Sequence, residues 1–111
     1  MNKESENILE IDFSKLGGPV YIGRPKGIAA RKKYQLDNID KSNQQVAVII
    51  PDDTFSINSS FFLGFFGDSV RAKGSKEAFL TQYKFKTQNN TIKEDIDDFV
   101  GRALREKKPL I

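Results

Sequence analysis

The chain has no cysteine, no histidine and no tryptophan. Without cysteine there is no disulfide, no thiolate nucleophile and no thiolate ligand for zinc. Without histidine the side chain that most often moves protons near neutral pH is missing, and with it the other favoured zinc ligand. A catalytic reading therefore falls back on carboxylates, lysine, serine and tyrosine, which form no recognisable constellation here. No cofactor and no metal site is expected. No apolar run approaches the ~20 residues that a membrane-crossing helix needs, and residues 1–6 lack the apolar core of a signal peptide. The expected location is cytoplasmic, with no membrane contact. No repeat of ~20 to 50 residues is present, and no segment is low in complexity.

The 111 residues suffice for one domain whose core needs no disulfide or metal staple. A net charge of +3 with 30% charged residues of both signs is only mildly basic and reads as ordinary surface charge. Residues 1–7 are polar and read as a frayed tail, leaving a domain over 8–108.

The chain is organised around residues 45–73. Val46, Ala47, Val48, Ile49 and Ile50 form an apolar run without alternation, the pattern of a central strand covered on both faces. Pro51 cannot donate to a sheet ladder, and Asp52, Asp53 and Thr54 form a turn. Asn58 or Ser59 then offers an oxygen to the free amides of a helix running from Ser59 to Lys73, which Gly74 ends. That helix carries Phe61, Phe62, Leu63, Phe65, Phe66 and Val70, an apolar arc too wide for one neighbour, so part of it is expected at the surface as a contact site.

A strand VAVII followed by Ile57-Asn58-Ser59-Ser60-Phe61 and an apolar helix resembles the STAS-like family of small bacterial domains. That family is similar in turn to the STAS domains of anti-sigma-factor antagonists, whose strand-to-helix turn carries Asp-Ser-Ser/Thr-Gly with a phosphorylatable serine. The matching tetrapeptide here has Asn58 in place of the aspartate and Phe61 in place of the glycine. The resemblance implies a regulatory fold, a histidine-kinase-type ATPase as protein partner, and Ser59 as the position equivalent to the phosphoserine. A phosphate on Ser59 would be stabilised by the free amides and positive dipole end of the helix, and would obstruct a partner docked on the same turn. The other reading is that Ser59 and Ser60 only cap the helix.

Elsewhere the patterns are plainer. Residues 8–13 alternate, with Leu9, Ile11 and Phe13 on one face, and residues 20–22 can return as a short strand of a hairpin across Gly17-Gly18-Pro19. Residues 25–41 read as one helix with proline in its first turn and a stripe through Ile28, Leu36 and Ile39. Residues 80–87 alternate Tyr83 and Phe85 with Gln82, Lys84 and Lys86, which fits an edge strand. Thr91 and Glu94 have capping-box spacing, and Ile92, Ile96, Phe99, Val100, Ala103 and Leu104 trace one face of the last helix. Its acids Glu94, Asp95, Asp97 and Asp98 lie in the first turns, where they favour the dipole; its bases Arg102, Arg105, Lys107 and Lys108 lie near the other end.

The order of elements predicts a single small α/β domain with a mixed, mostly parallel sheet and about three helices. A split arrangement with all helices on one face of the sheet is the alternative. The expected function is a non-catalytic regulatory domain that binds a protein partner through the strand-turn-helix 51–66, with Asp52, Asp53, Asn58, Ser59, Ser60, Phe61, Phe62 and Phe65 at the contact. The alternative is a nucleic-acid or nucleotide-binding module using the basic cluster 24–33, comprising Arg24, Lys26, Arg31, Lys32 and Lys33. Gly18 and Gly23 are spaced like a phosphate loop but lack the Lys-Ser/Thr that would hold phosphate and magnesium.

Overall fold

The apolar run after Gln45 forms β3 (Val46–Ile49), and it lies at the centre of a parallel sheet between β1 (Leu9–Asp12) and β5 (Tyr83–Lys86). The computed structural model describes residues 8–16, 20–42, 44–54 and 56–106. Expectations for residues 1–7, Gly17-Gly18-Pro19, Lys107 and Lys108 therefore lie outside the described residues. Val46 pairs in register with Leu9 and Tyr83, and Val48 with Ile11 and Phe85.

Among the described residues the sheet is covered on one face, not two. Val46, Val48 and Ile50 point into the core, while Ile49 is half-buried on the opposite face. Ala47 shares that opposite face, screened between its register neighbours Glu10 and Lys84. The topology explains this. In the order β1–β3–β5 both crossovers step in the same direction, and right-handed crossovers that do so lay their helices on the same side. The described arrangement thus has the one-sided layering of the pattern-based alternative, with parallel strands throughout its pairings.

Five α-helices are described where about three were expected. Residues 25–41 divide into α1 (Arg24–Tyr34) and α2 (Leu36–Asp40), because Gln35 adopts a left-handed conformation with φ 57° and turns the chain. The turn buries Leu36 and returns Asp37 and Asp40 to the Arg31 guanidinium. Ile28, expected on the buried stripe, is exposed. After α3 (Ser59–Lys73), the short helix α4 (Lys76–Gln82) takes residues 80–82 of the stretch expected as strand; the Ser75 hydroxyl caps it by accepting from the Ala78 amide at 3.1 Å. The strand begins only at Tyr83. The last helix, α5 (Asn90–Arg105), is capped by Asn89, whose side chain accepts from the Ile92 amide at 3.1 Å, so Thr91 is not the cap. Leu104, on its expected apolar face, is exposed.

The hairpin expected from residues 8–13 and 20–22 is not formed. A 3₁₀ turn over Phe13–Lys15 follows β1, and β2 (Val20–Tyr21) pairs in parallel with β4 (Ser56–Ile57) in a separate two-stranded sheet. Two-residue strands carry no periodicity of their own, and their pairing partner is set by tertiary packing.

Helix α3 is the centre of the core. Its wide apolar arc meets α1 on one side, α5 on the other and the sheet beneath. Phe61, Phe62, Phe65 and Phe66 are 4%, 1%, 0% and 0% exposed, which overturns the expectation that part of this arc forms a surface contact site. Phe66 packs edge-on against Phe79, Tyr83 and Phe85, while Phe61 touches Phe13 and Tyr21. At the α1–α3 crossing, Gly27 and Gly64 bring the two backbones together: a β-carbon on either glycine would collide with a backbone carbonyl of the opposite helix. Among the described residues no helix is long and apolar enough to cross a membrane.

Candidate functional site

In a parallel α/β unit, the loops leaving the strands and the starting turns of the returning helices gather at the carboxyl end of the sheet, where such folds place their sites. The turn after β3 puts Asp52 and Asp53 in solvent, with the Gln88 amide donating to Asp52 Oδ1 at 3.4 Å. Asn58, also exposed, caps α3: its Oδ1 accepts from the Ser60 amide at 2.8 Å, and its own amide donates to the Tyr21 carbonyl at 2.8 Å. The cap is thus Asn58 rather than Ser59. Ser59 and Ser60 are half-buried in the first turn, and Arg102 Nη1 of α5 donates to Ser59 Oγ at 3.1 Å.

The polar residues named from the sequence therefore share the carboxyl end of the fold, and Arg102 joins them. Phe61, Phe62 and Phe65 do not belong to that surface, because their rings are core. At the same end Asp12 accepts from the Ser14 amide at 2.9 Å, and the Ser14 hydroxyl, then this amide and the nearby Lys15 charge, lower its pKa.

The basic cluster 24–33 is not one face. Arg24 pairs with Glu106 at 3.4 Å, and Arg31 is buried. Lys32 opens onto a cleft with Ile28, Gln35 and Asp68. Lys26 and Lys33, seven residues apart, lie on one side of α1 with Ala29 and Ala30 and line a different cleft of about 310 Å³, shared with Lys15, Leu16, Tyr21 and Phe61.

A buried polar network is the feature the sequence reading missed. Arg31 Nη2 donates to Asp40 Oδ2 at 2.9 Å and to Asp37 at 2.7 Å; its Nη1 donates to Ser69 Oγ at 2.8 Å and to the Phe65 carbonyl at 3.0 Å. Tyr83 donates to Asp40 Oδ1 at 2.6 Å, and Ser69 to Asp40 Oδ2 at 2.6 Å. Burial and donation to the Asp40 carboxylate push the Tyr83 phenol up, so it stays a protonated donor. For Arg31 burial works against the charge, but the bonds to Asp37 and Asp40 outweigh it. Beside it, Gln82 Nε2 donates to the carbonyls of Ile39, Ser42 and Gln44, holding the connection into β3. Arg31, Asp40, Ser69 and Tyr83 satisfy one another in the interior, Asp37 closes the network at the surface, and Gln82 Oε1 stays buried without a partner among the described residues. These groups fix α1, α2, α3 and β5 relative to each other, and Arg31 and Asp37 also border the cleft of Lys32.

Among the described residues no three carboxylates converge as a metal site. Of the acids on α5, Asp97 pairs with Lys76 at 2.7 Å. No protein-family model, curated protein or solved structure matches this chain.

Proposed function

We propose that the domain is a non-catalytic regulatory module that docks a protein partner on the carboxyl end of its sheet, through Asp52, Asp53, Asn58, Ser59 and Ser60. The observation that carries this reading is the grouping of exposed turn carboxylates with the capped start of α3, on a surface whose polar groups are only partly used within the fold. With Phe61, Phe62 and Phe65 in the core, the contact is polar and acidic. The partner that the STAS-like resemblance suggests is a histidine-kinase-type ATPase.

Ser59 is the switch position in this proposal. Asn58 performs the capping, so the Ser59 hydroxyl is not needed for it and is held instead by Arg102. A phosphate there would meet the dipole of α3 and an arginine fork together, both of which favour added negative charge. The test is a pull-down from the native host, with mass spectrometry of the captured protein and of the bait. An ATPase of this type captured by unphosphorylated bait and released by Ser59→Asp supports the reading. Phosphate on a different residue, or equal capture by Ser59→Asp, removes the switch.

A further inference from the structure

The lysines left over from the basic cluster surround an apolar floor. Helix α1 presents two adjacent faces. Residues 27, 30, 31 and 34 turn toward α3, and residues 26, 29, 30 and 33 border the 310 Å³ cleft. Across from α1 stand Lys15 and Leu16 of the turn after β1. The floor is the small edge that the otherwise buried rings of Tyr21 and Phe61, each 4% exposed, leave at the cleft. The Tyr21 hydroxyl is bound to the Phe13 carbonyl at 2.8 Å, and its ring packs on Phe13 and Phe61.

Nothing in the lining is acidic, and none of Lys15, Lys26 and Lys33 makes an ion pair within 4.0 Å among the described residues. Lys33 leans over the Tyr34 ring at 5.7 Å, and Lys15 has only the longer-range attraction of Asp12. Three unpaired ammonium groups at the rim of an aromatic and methyl-lined hollow complement a molecule with a negative head and an apolar body. The volume falls at the lower end of the ~300 to 1,000 Å³ typical of small-molecule sites.

We propose that this cleft binds a small organic anion, its carboxylate or phosphate held by Lys15, Lys26 and Lys33 and its apolar body laid against Tyr21, Phe61 and the α1 alanines. This site is separate from the docking surface proposed above, and either can fail without the other.

The probe is 8-anilinonaphthalene-1-sulfonate, titrated by fluorescence into the full chain at low salt, with circular dichroism confirming that every variant is folded. Saturation at one site is expected, weakened about tenfold by Lys26→Ala/Lys33→Ala together, since each exposed charge pair contributes roughly two- to fivefold. Ala29→Glu places an acid on the exposed side of the cleft and abolishes binding. Lys32→Ala, on the same helix but outside the cleft, changes binding by less than about twofold. Octanoate and octyl phosphate displace the probe, and whichever does so at lower concentration identifies the head group. No binding by the wild type, or equal binding by wild type, Lys26→Ala/Lys33→Ala and Ala29→Glu, overturns the proposal. Displacement by inorganic phosphate as effective as by octyl phosphate, or by octanol as effective as by octanoate, overturns the class of ligand.

Discussion

Gly27 of α1 and Gly64 of α3 are reciprocal contacts at the crossing of their helices: the β-carbon that Gly27 lacks would lie 2.8 Å from the Phe65 amide nitrogen, and the one that Gly64 lacks 3.1 Å from that of Ile28. Each would also overlap a carbonyl oxygen, of Phe61 and of Arg24 respectively. Backbone cannot swing aside as a flexible side chain can. The close approach also sets how α1 presents its outer face, and with it the position of Lys26 and Lys33.

Alanine at either glycine is therefore expected to destabilise the fold by about 1–3 kcal/mol or more, the usual cost of overpacking. Gly101 in α5 is the internal control. Its added β-carbon would meet only the Arg105 side chain at 3.4 Å, so Gly101→Ala is expected to stabilise by about 0.5–1 kcal/mol through helix propensity. Urea titrations of the three variants read this directly, and a loss at Gly101 with none at Gly27 would invert the packing described.

The network around Asp40 makes a second set of expectations. Asp40→Ala leaves the Arg31 guanidinium with only the exposed Asp37 as counter-ion, and removal of one partner of a buried pair costs about 3–5 kcal/mol. Tyr83→Phe leaves Asp40 Oδ1 without its donor and costs about 1–3 kcal/mol. Because Arg31, Asp40, Ser69 and Tyr83 share partners, Arg31→Met/Asp40→Leu is expected to lose less than the two single changes added together. A strictly additive double variant would show that the four groups do not act as a unit.

Stability in alkali follows from the same tyrosine. A phenol with a folded-state pKa above its unfolded one binds its proton more tightly in the native state. Its contribution is whole below the unfolded value of about 10 and is lost as pH rises toward the folded one. Unfolding free energy is expected to fall with pH above about 10, and less steeply in Tyr83→Phe than in the wild type. Equal slopes would place the phenol in an ordinary environment.

Much of this fold is legible from local patterns, and the exceptions share a cause. The alternation of Tyr83 and Phe85 with Lys84 and Lys86 identifies an edge strand, and β5 is one. The bounds of α3 follow from Asn58 at one end and Gly74 at the other. Gln35, by contrast, carries no signal for a left-handed turn. Its conformation comes from burying Leu36 and pairing Asp37 and Asp40 with Arg31. The phenylalanines of α3 show that a wide apolar arc states how many neighbours a helix needs, without stating whether its own chain supplies them. Of the candidate docking surface, turn chemistry identifies Asp52, Asp53 and Asn58, but Arg102 lies 43 residues from Ser59 in the chain and nothing local announces it.

The division of labour at the start of α3 is also measurable. Asn58→Ala is expected to cost about 1 kcal/mol, as loss of an N-cap does. Ser59→Ala is expected to change stability by no more than about 0.5 kcal/mol. Thermal unfolding of the two variants separates them. The reverse order would make Ser59 the cap and leave no spare hydroxyl for regulation.

The docking surface itself is tested most directly by isothermal titration of the captured partner with the wild-type chain and with Asp52→Arg/Asp53→Arg. Both substitutions are at exposed turn positions, so the variant is expected to stay folded. The proposed function predicts that the double variant loses at least about tenfold in affinity, roughly 1.4 kcal/mol, while Lys26→Ala/Lys33→Ala binds like the wild type. Undiminished binding by the aspartate variant, with loss in the lysine variant, would contradict it and move the partner's contact to α1.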